Sequence, residues 1–196
     1  MTSDTALLIA HEIWGVDEHI LAVSKRLQEA TGYEVVTPSY LDEAALAGSE
    51  SEADVYRSFM ESPGIEGMAS RLVLDAERLR QDYRRVCCLG FSAGATATWI
   101  ATRSTHFDAA VCIYGSRIRN HLEFDPPSPT LVVFAEHEES FIPLDLVPCL
   151  DTKPHVSVLF LGGTAHGFCN PGHHSYDRRA TDRTYAEICA FLQAPK

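Results

Sequence analysis

Apolar positions in this chain alternate between two patterns, short near-continuous runs and longer sets at helical spacing. The runs fall at residues 6–10 (Ala-Leu-Leu-Ile-Ala), 34–37, 86–89 (Val-Cys-Cys-Leu), 109–114, 130–135 and 156–161. Short apolar runs without polar alternation suit strands buried on both faces of a parallel sheet. The helical sets begin at 17–31, where Ile20, Leu21, Val23 and Leu27 share a face and Gly32 supplies the stop. Residues 65–83 follow, with Met68, Leu72 and Leu79 on one side, then an Ala- and Thr-rich stretch to Thr102. A short helix near 144–150 and a last one at about 175–192 complete the set. Strand and helix signals in alternation predict an α/β fold, a mostly parallel sheet flanked by helices. Residues 39–64 carry mixed signals, many acids and a Ser-Pro-Gly break, which predicts a long surface excursion of the kind that often serves as a lid.

One strand and helix are joined by a turn with chemical content. Val86 to Leu89 runs directly into Gly90-Phe91-Ser92-Ala93-Gly94, a G-x-S-x-G pattern. A serine hydroxyl is a poor nucleophile unless it is held exposed beside a base. A sharp turn between strand and helix pushes it out, and the flanking glycines let the turn close without side-chain clashes. The helix start also aims free N–H groups at the place where negative charge develops in acyl transfer. The plainer alternative is a tight glycine turn with Ser92 as an ordinary N-cap.

Two later strand ends carry the groups such a serine needs. Glu136-His137-Glu138-Glu139 follows the run at 130–135, and Gly162-Gly163-Thr164-Ala165-His166-Gly167-Phe168 follows the run at 156–161. Ligands of open parallel sheets gather at the carboxyl ends of strands. Ser92, an acid near position 138 and His166 then stand there in the order serine, acid, histidine.

Composition narrows the setting. A chain of 196 residues with 45% hydrophobic content fits one domain over residues 1–196, without repeat, linker or low-complexity tract. A formal charge of −11 argues against nucleic acid or an anionic membrane as partner. No apolar run approaches the roughly 18 residues a membrane span needs, and the start lacks the basic segment of a signal peptide, so a cytoplasmic location is expected. Six cysteines show no C-x-x-C pair. Cys87, Cys88 and Cys112 sit in strand runs as small hydrophobes, whereas Cys169, close to His166, is the one expected to be reactive. No zinc pattern is present. His173 and His174, as neighbours that should point apart, read as surface histidines.

Five motifs in order resemble the dienelactone hydrolase family of α/β-hydrolases. They are His11-Glu12-Ile13-Trp14-Gly15, Gly90 to Ala95, Ile113-Tyr114-Gly115, Glu136 to Phe141, and His166-Gly167-Phe168 with Tyr176-Asp177 after it. The resemblance implies an α/β-hydrolase fold without a large cap domain, no metal or organic cofactor, and a small-molecule ester or lactone as substrate. It implies Ser92, His166 and a glutamate as catalytic triad, with the backbone N–H groups of Ile13 and Ala93 as oxyanion hole. The strand-x-x-acid count favours Glu138 as the acid, while counting back from Phe141-Ile142-Pro143 points to Glu139. Glu12 matches a family glutamate that pairs with the resting nucleophile; with serine there, a loop-fixing hydrogen bond is the equal alternative, and Glu12 and Trp14 are both expected on the substrate-pocket wall. The chain departs from the best-known members in carrying serine for cysteine and glutamate for aspartate. It also has Cys169-Asn170-Pro171 where a substrate-binding arginine would follow the histidine, which points away from a dianionic dienelactone. Other serine acyl hydrolases (a thioesterase or small peptidase) and a silent hydrolase-fold binding protein share these features, as a monomer or a homodimer.

Overall fold

The computed structural model describes residues 3–41 and 51–194. Six strands form one parallel sheet: β1 (Thr5–Ala10), β2 (Glu34–Val36), β3 (Arg85–Phe91), β4 (Ala110–Ile113), β5 (Thr130–His137) and β6 (Val156–Ala165). Their spatial order is β2-β1-β3-β4-β5-β6, each adjacent pair parallel. Every residue of β1 and β4 is buried, as their unbroken apolar runs require. The chain moves outward from β1 to β2 and then crosses back to place β3 on the other side of β1. That reversal opens a crevice beyond the carboxyl ends of β1 and β3, the place where ligands bind in such sheets.

Helices cover both faces. On one, α1 (Glu18–Thr31) and the last helix (α6, Arg178–Gln193) pack Ile20, Val23, Leu27, Ile188 and Leu192 against Leu7, Ile9, Leu89 and Val111. The Asp17 carboxylate caps α1 by accepting the Ile20 N–H at 2.9 Å, and Gly32 ends it in the left-handed region at φ 72°. On the other face lie α3 (Gly64–Leu79) and α4 (Ala93–Ala101), whose Met68, Leu72 and Ala97 pack with Leu8 and Cys88.

The sequence reading is corrected between residues 39 and 64. A helix, α2 (Glu52–Glu61), forms there, capped by Ser51 through its side chain and buried through Val55 and Phe59. Tyr40 and Leu41 are also buried, so this part of the chain is packed rather than a surface excursion; the rest of the expected excursion, 42–50, lies outside the described residues. Strands β5 and β6 run further than their apolar runs. Glu136 and His137 are still in strand, with a bulge between Ala135 and His137 where the register shifts. A 3-10 turn (Ser116–Asn120) occupies part of the long connection after β4; a second one (Pro143–Asp145) and the single turn of α5 (Val147–Leu150) stand for the short helix expected there. Among the described residues no helix is long and apolar enough to cross a membrane.

Candidate active site

The turn after β3 is built by two close approaches. A Cβ on Gly90 would lie 2.2 Å from the Gly94 carbonyl oxygen, and one on Gly94 would lie 2.4 Å from the carbonyl oxygens of Ala10 and His11. Glycine is therefore required at both ends of the pattern, and the turn is pressed onto the end of β1. Between them Ser92 takes φ 50° and ψ −111°, a strained conformation for a residue with a side chain. Its N–H is held by the Ile113 carbonyl at 3.0 Å. The Ser92 hydroxyl makes no capping bond to α4, which sets aside the ordinary N-cap reading.

It meets His166 instead. His166 Nε2 lies 3.1 Å from Ser92 Oγ, and Nδ1 lies 2.7 Å from Glu138 Oε2. A carboxylate only accepts, so Nδ1 carries the proton and Nε2 is free to accept from the serine hydroxyl. The Glu138 side chain is 3% exposed and the His166 side chain 33%. Burial alone would depress the His166 pKa; the Glu138 hydrogen bond and charge, with Glu12 and Glu52 behind them, hold it above the ordinary histidine value. Glu139 is exposed and stands on the cavity wall. Of the two candidate acids, Glu138 is therefore the one on the imidazole.

Three further groups stabilise this arrangement. The His166 N–H donates to the His137 carbonyl at 3.1 Å, so the extended end of β5 fixes the histidine backbone. The Tyr114 ring lies 4.8 Å from the His166 ring and 5.7 Å from Phe168, with Tyr114 itself at φ 42°. His11 Nε2 accepts the Tyr40 N–H at 2.9 Å, which leaves the proton on Nδ1 to bond the Glu12 carbonyl at 2.6 Å. This neutral, buried histidine, its pKa lowered chiefly by desolvation, stiffens the loop that carries Ile13. Ile13 and Ala93 line the same cavity as Ser92. Ala93 begins α4, where first-turn N–H groups have no helical partner.

Four expectations need correction. Glu12 is not a wall residue: it is buried under the site, accepting from Asn170 Nδ2 at 3.4 Å, and burial raises its pKa. The Tyr114 hydroxyl lies near the Glu12 carboxyl without reaching full hydrogen-bond geometry. Trp14 is 43% exposed and stands apart from the described cavity lining. His173 and His174 do not point apart. The turns after His166 bring their rings to 4.2 Å, and both face the cavity. Cys169 is buried and burial pushes its thiol well up, so it is no nucleophile.

The cavity over Ser92 has a volume of about 830 Å³. Its further walls are residues the sequence reading did not single out: Glu52, Ala53 and Tyr56 of α2, and Ser116, Arg117 and Arg119 of the first 3-10 turn. Two arginines in a turn after a strand, in a chain of net charge −11, were the available signal. Among the described residues no three His, Cys, Asp or Glu side chains gather as a metal site.

Comparison with known proteins agrees with this geometry. The sequence matches the dienelactone hydrolase family over residues 2–195. The chain belongs to that family. The uncharacterized protein YczH of Bacillus subtilis (strain 168) is 32% identical over 184 residues, covering 93% of this chain and 89% of its own. A candidate dienelactone hydrolase of Klebsiella pneumoniae subsp. pneumoniae superposes with a TM-score of 0.82 at 19% identity, over 98% of this chain and 88% of that one. An esterase of Pyrobaculum calidifontis superposes with a TM-score of 0.68 at 16% identity, over 98% and 76%. The fold is that of the α/β-hydrolases, and its family makes this member a hydrolase.

Proposed function

We propose that the protein hydrolyses small carboxylic esters or lactones through Ser92, His166 and Glu138, with a covalent acyl-enzyme intermediate. The observation that carries this reading is the unbroken chain Glu138 to His166 to Ser92, at 2.7 and 3.1 Å, ending on a strained serine at a strand end. His166 Nε2 takes the Ser92 proton as Oγ bonds to the substrate carbonyl carbon. The carbonyl oxygen becomes an oxyanion facing the N–H groups of Ala93 and Ile13, donors of a kind worth roughly 10²–10³ in rate each. Collapse expels the alcohol, which takes the proton from His166. Water, losing a proton to the same nitrogen, then attacks the acyl carbon; the bond from that carbon to Ser92 Oγ breaks, the acid leaves, and Oγ takes the proton back from His166. Glu138 holds the imidazole in the required tautomer and stabilises its charged form throughout. Replacing Ser92 by Ala tests this: turnover of p-nitrophenyl acetate should fall by up to about 10⁶. Retained turnover would place the chemistry elsewhere.

A further inference from the structure

One ionisable group at the site takes no part in the steps above. Glu12 is 8% exposed and, among the described residues, stands outside the cavity lining, so it does not face substrate. A buried carboxyl needs partners, and this one has a clamp. Asn170 Nδ2 donates to Glu12 Oε2 at 3.4 Å. The amide is fixed in that sense, because Asn170 Oδ1 accepts the Gly172 N–H at 2.9 Å. Asn170 also belongs to the histidine turn: its N–H donates to the Gly167 carbonyl and its carbonyl accepts the His173 N–H, each at 2.9 Å. The Tyr114 hydroxyl, buried near the same carboxyl, is carried on a ring 4.8 Å from the His166 ring. Glu12 is therefore tied to His166 through two neighbours, Asn170 and Tyr114. Among the described residues no hydrogen bond joins it to Ser92, whose hydroxyl meets His166.

The charges acting on His166 come from several elements. Glu138 at the end of β5 is the strongest, Glu12 after β1 is next, and Glu52 at the start of α2 is the weakest. His173, in the segment after β6, opposes them. Burial raises the Glu12 pKa and Asp17 adds to this, while His166, Tyr114 and Asn170 favour its charged form. We propose that Glu12 is a positioning residue, a second buried anion that joins Glu138 in stabilising the imidazolium His166 becomes on taking the Ser92 proton. This rests on the ester hydrolase reading above. Glu138 bonds Nδ1 directly and sets the tautomer; Glu12 makes no such bond and contributes charge. A charge buried away from water is screened little, so it acts without contact.

Glu12→Gln tests this, because it keeps the size and the oxygen that Asn170 needs and removes the charge. With p-nitrophenyl acetate as substrate, the rising limb of kcat/KM against pH should move to lower pH. Turnover on the plateau should fall by roughly tenfold, the scale of one neighbouring charge, against about 10⁴ for loss of an orienting acid. The double variant Glu12→Ala/Asn170→Ala, which leaves neither partner unpaired, should move the limb the same way. Glu52→Gln should move it less, and salt at about 0.5 M should abolish that shift because Glu52 is exposed; the Glu12→Gln shift should survive. The same change should appear without turnover. The His166 imidazole, followed by NMR in Ser92→Ala, should titrate at lower pH once Glu12→Gln is added. Thermal unfolding confirms that each variant is folded. A limb and an NMR titration that stay in place, or move upwards, in folded Glu12→Gln overturn the inference whatever the loss of rate, and Glu12 is then a structural bridge. A wild type inert towards every ester, with the NMR shift present, overturns the hydrolase reading and the catalytic role while the pairing of Glu12 with His166 stands.

Discussion

Glu138→Gln separates the triad acid from its neighbour. Gln keeps the size of Glu138 but removes its charge. If its amide group faces His166 Nδ1, two donors meet, the imidazole must take the other tautomer, and Nε2–H then points at Ser92 and cannot accept its proton. The contact is 2.7 Å and the acid side chain is 3% exposed, so solvent cannot replace it. Loss of an orienting triad acid costs about 10⁴ in turnover. At 1.36 kcal/mol per tenfold that is about 5.4 kcal/mol of barrier, several times the ~1 kcal/mol ceiling of an exposed ion pair. Glu139, one residue on, is exposed on the cavity wall. Its replacement by Gln should cost less than about tenfold, on the scale of an exposed charge. The assay is kcat and kcat/KM on p-nitrophenyl acetate for both variants, above the pH at which His166 loses its proton. A crippled Glu139→Gln, or a Glu138→Gln within tenfold of the wild type, would refute the assignment.

The pH profile of kcat/KM should rise through an inflection above the ordinary histidine value of about 6.5, because only neutral His166 accepts the Ser92 proton. In Glu138→Gln the hydrogen bond and charge that raise that pKa are gone while burial remains, so the inflection should move to lower pH; an unmoved inflection counts against the pairing. Iodoacetamide on the native protein should modify exposed Cys149 and spare buried Cys169, with activity retained, as peptide mapping would show. Modification of Cys169 ahead of Cys149 would mean the region beside His166 is built differently.

What was legible in the sequence was local. The strand, elbow and helix around Ser92 share one continuous stretch, and the glycines report contacts made within a few residues or against β1. The strand-end positions of Glu138 and His166 follow from two apolar runs. Helix α2 escaped because only Val55 and Phe59 of its ten residues are buried, too few for a helical period to stand out, although Ser51 and the acids after it were a readable start. His173 and His174 were misjudged because neighbours diverge only in regular structure. The hydrogen bonds from the His173 and Tyr176 N–H groups to the Asn170 and His173 carbonyls fold this segment tightly and bring the rings together. Cys169 looked reactive by its nearness to His166 in sequence, yet its side chain turns into the core with Ile188 and Leu192. Tyr114 and Tyr56 meet His166 and Arg117, partners on elements distant in sequence, which no local pattern encodes.

The most direct measurement is rapid acid quench of the enzyme reacting with p-nitrophenyl acetate, followed by peptide mass mapping. The triad mechanism predicts an acetyl group on the peptide containing Ser92, formed in a burst and absent from Ser92→Ala. Turnover with no covalent adduct, or an adduct on another residue, would contradict it.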